Sequence, residues 1–418
     1  MFALGKNQFL IFQFGLLLLV SASQVNNINR VGTDEAEQLS VFQKARCVIP
    51  NGIEHVARTL LLQQCLSKDF AQGNETRCYE ELGCFPMDSP WTSILRPLPS
   101  PMSPNFIDVH IYLYTRAQNT PYDVPLWPKV ELEHSDFNPK RKNTVFITHG
   151  FSSSTNSSWM TDMKNAYLKK VDANIFLVDW SKGASSANYL QVASNTRIVG
   201  AELSRFVLNL THLYGLEPRN IHLIGHSLGA QISGYCAKKV PNIARLTALD
   251  PAQPGFEGTP AEVRLAKGDA NFTEVIHTSA RPLVPTLGFG MISSVGDVDF
   301  YANGGVIQPG CRLPDVSSIP KISSINDLAK IPVEVLSEWV SCSHGRSSEY
   351  FIAALATDNC TFWGHQTGIV RHVANSGTLG ALDPVISSLT SCSAETCIPL
   401  NLDTPRYKAR GVFSLSTE

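Results

Sequence analysis

Short runs of apolar and β-branched residues recur along the chain from about residue 106 onward, and each ends in turn-forming residues. They are TVFITHG from Thr144, NIFLVDW from Asn174, NIHLIGH from Asn220 and RLTALD from Arg245. Runs of this length and composition predict buried strands. Between them the spacing changes. In TRIVGAELSRFVLNLTHLYG, residues Ile198, Leu203, Phe206, Val207 and Leu210 follow a helical period, which predicts an amphipathic helix. Strands alternating with helices predict an α/β fold, a mainly parallel sheet with helices on both faces. In such sheets the loops at the carboxyl ends of the strands build the site.

The first residues follow a different pattern. Lys6, the apolar run FLIFQFGLLLLV and the small residues Ser21 to Ser23 read as a secretory signal over residues 1–23. The run is short of the ~20 residues that span a bilayer, and no later stretch qualifies, so a secreted, extracellular protein without a transmembrane anchor is expected. Residues 24–75 contain two polar, helix-prone stretches, DEAEQLSVFQKAR and EHVARTLLLQQCL, which Cys47 and Cys65 could staple together. A propeptide, a regulatory cap and a variable extension all fit that segment. The PLPSPMSP stretch near residue 100 reads as a surface connector inside one domain running over residues 76–418.

Composition narrows the class. With 43% hydrophobic and 17% charged residues the chain is globular, and a net charge of -2 gives no electrostatic basis for a nucleic-acid partner. Apolar insertion into a lipid surface needs no net charge. Ten cysteines without a C-x-x-C pair point to disulfides rather than metal. Asn74, Asn156, Asn209, Asn271 and Asn359 each begin a glycosylation sequon, which agrees with export.

The chemistry centres on Gly225-His226-Ser227-Leu228-Gly229, which follows the apolar strand Ile221–Ile224 and precedes a helix carrying Gly229, Ala230 and Gly234. A serine on a tight strand-to-helix turn projects its hydroxyl out of the sheet and brings the next backbone N–H, that of Leu228, beside a reacting carbonyl. Serine needs a base, and the base an orienting acid. Asp250 ends the next strand, RLTALD, at the same edge of the sheet. The histidines that follow are His277, His344, His365 and His372, and spacing alone does not choose among them. His277, in EVIHTSA, reads as a satisfied core residue. A disulfide at Cys342 would pin the loop of His344, which favours it. His149 reads as a loop-shaping residue, and His222 and His226 would not converge on a zinc ion from a strand and turn. The turn after VFITHGF offers the Phe151 N–H as the second oxyanion donor.

The blocks CYEELGCFPMDSPW, FITHGF, NTRIVGAEL, GHSLGA, LDPAQPGFEGTP, VIHTSARPLVPTLGFGM, DFYANGGVIQPGC and CSHGRS occur in this order. In them the chain resembles the pancreatic lipase family of secreted α/β-hydrolases over nearly all of residues 76–418. The resemblance implies an α/β-hydrolase fold and a triad of Ser227, Asp250 and His344, with Phe151 and Leu228 as oxyanion donors. It also implies disulfides Cys78–Cys84 and Cys311–Cys342, the second at the base of a lid over residues 312–341. Tyr189 and Phe289 match positions that line the acyl pocket in relatives.

Within the lid region Val316, Ile319, Ile322, Ile325, Leu328, Pro332, Leu336 and Trp339 recur every three or four positions, broken by Pro314, Pro320 and Pro332. An excursion packed on the core gives such a pattern, and so does a flap whose apolar face meets lipid. The long lid resembles that of the triglyceride lipases of the family, whose phospholipases have a shortened one.

Two departures stand out. Relatives continue into a C-terminal β-sandwich, whereas this chain stops soon after RGVFSLSTE, so that domain and colipase-type partnering are not expected. Relatives bind a structural calcium near EVRLAKGDANF; Asp269 is present but Ala266 replaces a second acidic ligand, so no cofactor or tight calcium site is expected. Cys236, Cys360, Cys392 and Cys397 do not map onto family disulfides, and Cys236 is a candidate free buried thiol. The reading is a serine carboxylic-ester hydrolase acting on lipid at an interface, most simply a triacylglycerol lipase. A phospholipase or galactolipase, or a non-catalytic yolk-type relative, are its rivals.

Overall fold

The computed structural model describes residues 75–417 except 187, 284–286, 313–323, 331–332, 358–360, 368–391 and 394. The expected signal, nearly all of the 24–75 extension, Cys47, Cys65, Asn74, Asn359, Cys360, His372 and much of the expected lid lie outside the described residues. Among the described residues no helix is long and apolar enough to cross a membrane.

A hairpin of β1 (Arg77–Tyr79) and β2 (Gly83–Phe85) comes first, clamped by the Cys78–Cys84 disulfide. The main sheet follows. Its strands are β3 (His110–Tyr114), β4 (Tyr122–Asp123), β5 (Thr144–Thr148), β6 (Asn174–Asp179), β7 (Ile221–His226) and β8 (Arg245–Leu249). Then come β9 (Thr273–His277), β10 (Val298–Ala302), β11 (Trp363–Gln366), β12 (Cys397–Pro399) and β13 (Gly411–Leu415). They are ordered β12-β11-β13-β10-β9-β8-β7-β5-β6-β3-β4. The stretch from β13 to β6 is parallel throughout, and the antiparallel pairs β3–β4 and β11–β12 flank it.

The buried strands obey the two-residue period of pleated backbone. In β5, Phe146 packs into one core cluster while Val145 and Ile147 pack into the other. Two helices cover the first face, α2 (Tyr189–Tyr214) and α3 (Leu228–Lys239), and two cover the second, α1 (Ser158–Lys170) and α4 (Val333–Ala356). Helix α2 starts seven residues before the amphipathic stretch that predicts it, because the Asn188 side chain caps the Leu190 N–H. It stops at Gly215, whose φ of 72° suits a residue without a side chain and lets its N–H close on Leu210 and Thr211.

The chain reverses direction across the sheet between β5 and β7. From β5 it steps to β6 on one side, then crosses back to β7 and continues outward through β8, β9 and β10. That reversal opens a crevice at the carboxyl ends of β5 and β7, the place where open α/β sheets bind ligands.

Candidate active site

Strand register aligns three loop origins. Thr148 of β5 pairs with Gly225 of β7, and His226 of β7 pairs with Leu249 of β8. The turns that carry Gly150 and Phe151, then Ser227, then Asp250 therefore leave neighbouring strands at one level.

Ser227 has φ 57° and ψ -120°, a conformation that costs a non-glycine residue about 1–3 kcal/mol. Backbone bonds hold it there: its N–H donates to Leu249, and its carbonyl accepts from Ala230 and Ala252. The flanking glycines are steric necessities. A Cβ on Gly225 would sit 2.2 Å from the Gly229 carbonyl oxygen, and one on Gly229 would sit 2.2 Å from that of Thr148. The small side of α3 thus lets the helix press onto the ends of β5 and β7, as its composition predicts. Leu228 is the first residue of α3, so its N–H has no acceptor within the helix.

Asp250 follows β8 directly and is wholly buried. Its Oδ1 accepts from the N–H groups of Thr278 (2.9 Å) and Ser279 (3.2 Å). Its Oδ2 accepts from Nδ1 of His344 at 2.6 Å, across 94 residues of sequence. That bond puts the proton on Nδ1 and leaves Nε2 as the basic nitrogen. Nε2 is buried and has no partner among the described residues. The Ser227 hydroxyl is not hydrogen-bonded to it, the looser arrangement common before substrate enters.

His344 lies inside helix α4, not on the loop expected from its disulfide neighbour. The Cys311–Cys342 disulfide is present, and α4 runs through Cys342 without interruption, so residue 341 is not an element boundary. Upstream, Ile325–Lys330 forms a short 3-10 helix, with Leu328 buried in the core. That part of the excursion packs on the domain.

Sequence reasoning passed over His226 as a contributor. Its Nε2–H donates to the backbone carbonyl of His344 at 3.1 Å. Burial first, and then the neighbouring charge of His344, push its pKa down to about 3, so the ring stays neutral. Only its place inside the G-x-S-x-G motif could have marked it. Gly290 was equally silent: a Cβ there would meet Asp250 Oδ1 at 2.2 Å.

His149 shapes the turn after β5, as expected. Trp180 stacks on its ring, and its indole N–H donates to the His149 carbonyl at 2.8 Å. The Asp179 carboxyl beside it is held well below the usual range; burial pushes the other way, but hydrogen bonds from His149, Thr155 and Ser181 outweigh it. The Phe151 ring packs 5.4 Å from that of Tyr189, and Tyr189 and Phe289 are buried in the same apolar cluster.

The other candidates fall elsewhere. His277 is a satisfied core residue, with Nδ1 on the Met291 carbonyl (2.8 Å) and Nε2 on Asp299 (2.9 Å). His365 is on β11, between β12 and β13, beside the Cys392–Cys397 disulfide. Cys236 is the free thiol among the described residues, buried in α3. Asn156 and Asn271 are exposed, and Asn209 is half-buried on α2. Asp269 pairs with the Lys238 ammonium and accepts from the Ala266 N–H at 2.8 Å.

Comparison with known proteins agrees with this architecture. Over 281 residues the chain is 42% identical to pancreatic triacylglycerol lipase of Myocastor coypus, covering 66% of this chain and 60% of that one. It is 40% identical over 288 residues to inactive pancreatic lipase-related protein 1 of Homo sapiens, covering 68% and 60%. It is 42% identical over 282 residues to pancreatic lipase-related protein 2 of Bos taurus, covering 66% and 58%. The chain thus spans about 60% of the length of these curated relatives. Residues 75–381 match the family model described as Lipase, and with an α/β-hydrolase sheet built around them the chain belongs to the pancreatic lipase family.

Proposed function

We propose that the protein is a secreted serine carboxylic-ester hydrolase that acts on lipid esters, triacylglycerols foremost, at an interface. The observation that carries this reading is the 2.6 Å bond from His344 to Asp250, with Nε2 left unpartnered among the described residues at the edge of the sheet where Ser227 emerges. Ser227 Oγ attacks the ester carbonyl carbon while Nε2 of His344 takes its proton. Asp250 holds the imidazole and stabilises the imidazolium that forms. The oxyanion is received by the N–H groups of Leu228 and Phe151, each such donor being worth ~3 kcal/mol in the transition state. His344 returns the proton to the departing alcohol, and water then frees the acid from the acyl-enzyme by the same route. Tyr189 and Phe289 line the acyl chain, and residues 312–341 act as the lid. The three disulfides among the described residues and the family support an extracellular setting.

No resident calcium enters this mechanism. At the family's calcium stretch the Asp269 carboxylate is engaged by Lys238 and by a backbone N–H, and Ala266 offers no charged oxygen. Those residues do not fit a hard cation that needs several oxygen ligands.

The test is the initial rate against tributyrin taken through its solubility limit, with dispersed phospholipid in parallel and Ser227→Ala as control. A jump in rate once droplets form, lost by a factor on the order of 10⁶ in Ser227→Ala, is expected. A better rate on phospholipid, with smooth saturation on tributyrin, replaces this reading with a phospholipase. Absence of hydrolysis by folded protein places the chain with its inactive relatives.

A further inference from the structure

A second histidine–carboxylate pair lies on the strands beside Asp250. His277 ends β9, and the carbonyl of the residue before it, Ile276, accepts the Asp250 N–H at 2.8 Å. Asp299 is on the adjoining strand β10, with its Oδ1 2.9 Å from Nε2 of His277, and both side chains are wholly buried. The mechanism above does not use this pair.

The partners of the two groups place the protons. Besides the histidine, Asp299 receives three donors: the Val295 N–H on Oδ1 (3.0 Å), and the Gly296 N–H (3.0 Å) and Ser294 hydroxyl (2.7 Å) on Oδ2. Hydrogen bonds donated to both oxygens favour the ionised carboxylate. A carboxylate only accepts, so the proton between the pair sits on Nε2 of His277. The other ring nitrogen, Nδ1, faces the Met291 carbonyl oxygen at 2.8 Å, which also only accepts. Both nitrogens therefore carry hydrogen, and the ring is an imidazolium.

The ring stacked on it agrees. Tyr301 pairs with His277 across β9 and β10, and its ring lies 6° from parallel with the imidazole, 4.1 Å between centroids. Neutral aromatic rings disfavour a face-to-face sandwich, whereas a cation over an aromatic face is attracted to it. Burial, and then the Asp299 and Glu257 carboxylates, push the Tyr301 hydroxyl up, so it remains a neutral phenol, donating to the Ile292 carbonyl at 2.7 Å.

Both ends of this arrangement lead to Asp250. Thr278, next after His277, donates its N–H to Asp250 Oδ1. Met291, which receives the Nδ1 proton of His277, donates its own N–H to the Pro251 carbonyl at 2.8 Å. Gly290, just before it, lies so close that a Cβ would stand 2.2 Å from Asp250 Oδ1. We propose that His277 is a positioning residue, an imidazolium anchored by Asp299 that ties Thr278 to Met291 and so fixes the walls of the Asp250 site. Its bearing on turnover, though not its protonation, rests on the hydrolase reading above.

The experiment is NMR of the full chain at neutral pH, with its histidine rings isotope-labelled and His277 identified by through-space contacts to the Tyr301 ring. Hydrogen is expected on both ring nitrogens of His277; a bare nitrogen overturns the proposal. This measurement needs no variant, so a variant that misfolds cannot void it. Glutamine at 277 can donate to only one of the two acceptors. In folded His277→Gln the proton between His344 and Asp250 should shift, and kcat on tributyrin should fall about 10–100-fold with a smaller change in KM. An unmoved His344 proton with wild-type kcat in that variant also overturns the proposal. A doubly protonated His277 and a shifted His344 proton, in a chain that hydrolyses no ester, remove the esterase reading and leave the clasp around Asp250 standing.

Discussion

His226 and His344 are joined ring to backbone: Nε2–H of one donates to the carbonyl of the other at 3.1 Å, and the two rings lie 4.6 Å apart. The residue preceding Ser227 thereby fixes the helical turn that carries His344. In the proposed mechanism that neutrality matters, because a cation beside His344 would oppose the imidazolium formed there.

Replacing His226 by phenylalanine removes the donor and keeps a ring. Turnover should fall by roughly 10–100-fold with a smaller change in KM, since misplacement by an ångström is enough for such a loss. Glutamine, which restores an N–H, should recover part of it. Wild-type kcat in the phenylalanine variant would show that α4 positions His344 unaided.

Gly290→Ala drives a methyl group into a carboxylate that cannot retreat. Asp250 is held by the N–H groups of Thr278 and Ser279 and by His344. Denaturant unfolding should show a loss of about 1–3 kcal/mol, accompanied by reduced kcat. An unchanged midpoint would mean that the loop after β9 yields freely.

His222 tests the acid side of the stability profile. It is buried between the Tyr167 hydroxyl (3.1 Å) and Thr247 (2.7 Å). Burial, with Arg245 adding to it, lowers its pKa well below 6.5. The unfolded chain then takes up a proton that the folded chain refuses. Its contribution is complete above pH 6.5 and is lost as pH falls below that value, by at most ~1.4 kcal/mol per pH unit. His222→Phe should be less stable at neutral pH, with the gap to wild type closing toward about pH 5. A gap that stays constant would sink the assignment.

Lys238 and Asp269 give the metal prediction. Chelation should leave the melting temperature unchanged. Lys238→Met should lower stability by about 1–3 kcal/mol, because it strands a carboxylate that burial already disfavours in its charged form. A fall in melting temperature on chelation alone would restore a cation to this loop.

What could be read from the sequence was what local pattern encodes. β5, β6, β7 and β8 are continuous apolar runs, and Ser227 sits in a motif whose first glycine, Gly225, answers a contact within five residues, with Gly229. Asp250 follows from its position at a strand end. His344 does not. Its bond to Asp250 spans 94 residues and depends on how α4 crosses the sheet, so spacing could not separate it from His277 or His365. The resemblance could. Strands β11 and β12 went unread because they are only four and three residues long, and half-polar WGHQ carries little alternation.

In α4 the half-cystine at 342 and the imidazole at 344 are separated by a single residue. The covalent bond to Cys311 therefore grips the helix just ahead of His344, and the Asp250 and His226 contacts grip it at His344 itself. A disturbance arising between Cys311 and the start of α4 meets that clamp before it reaches His344. On the proposed reading, selection can rewrite the length and greasiness of the stretch ahead of α4, and so what the protein admits, without retuning how His344 handles a proton.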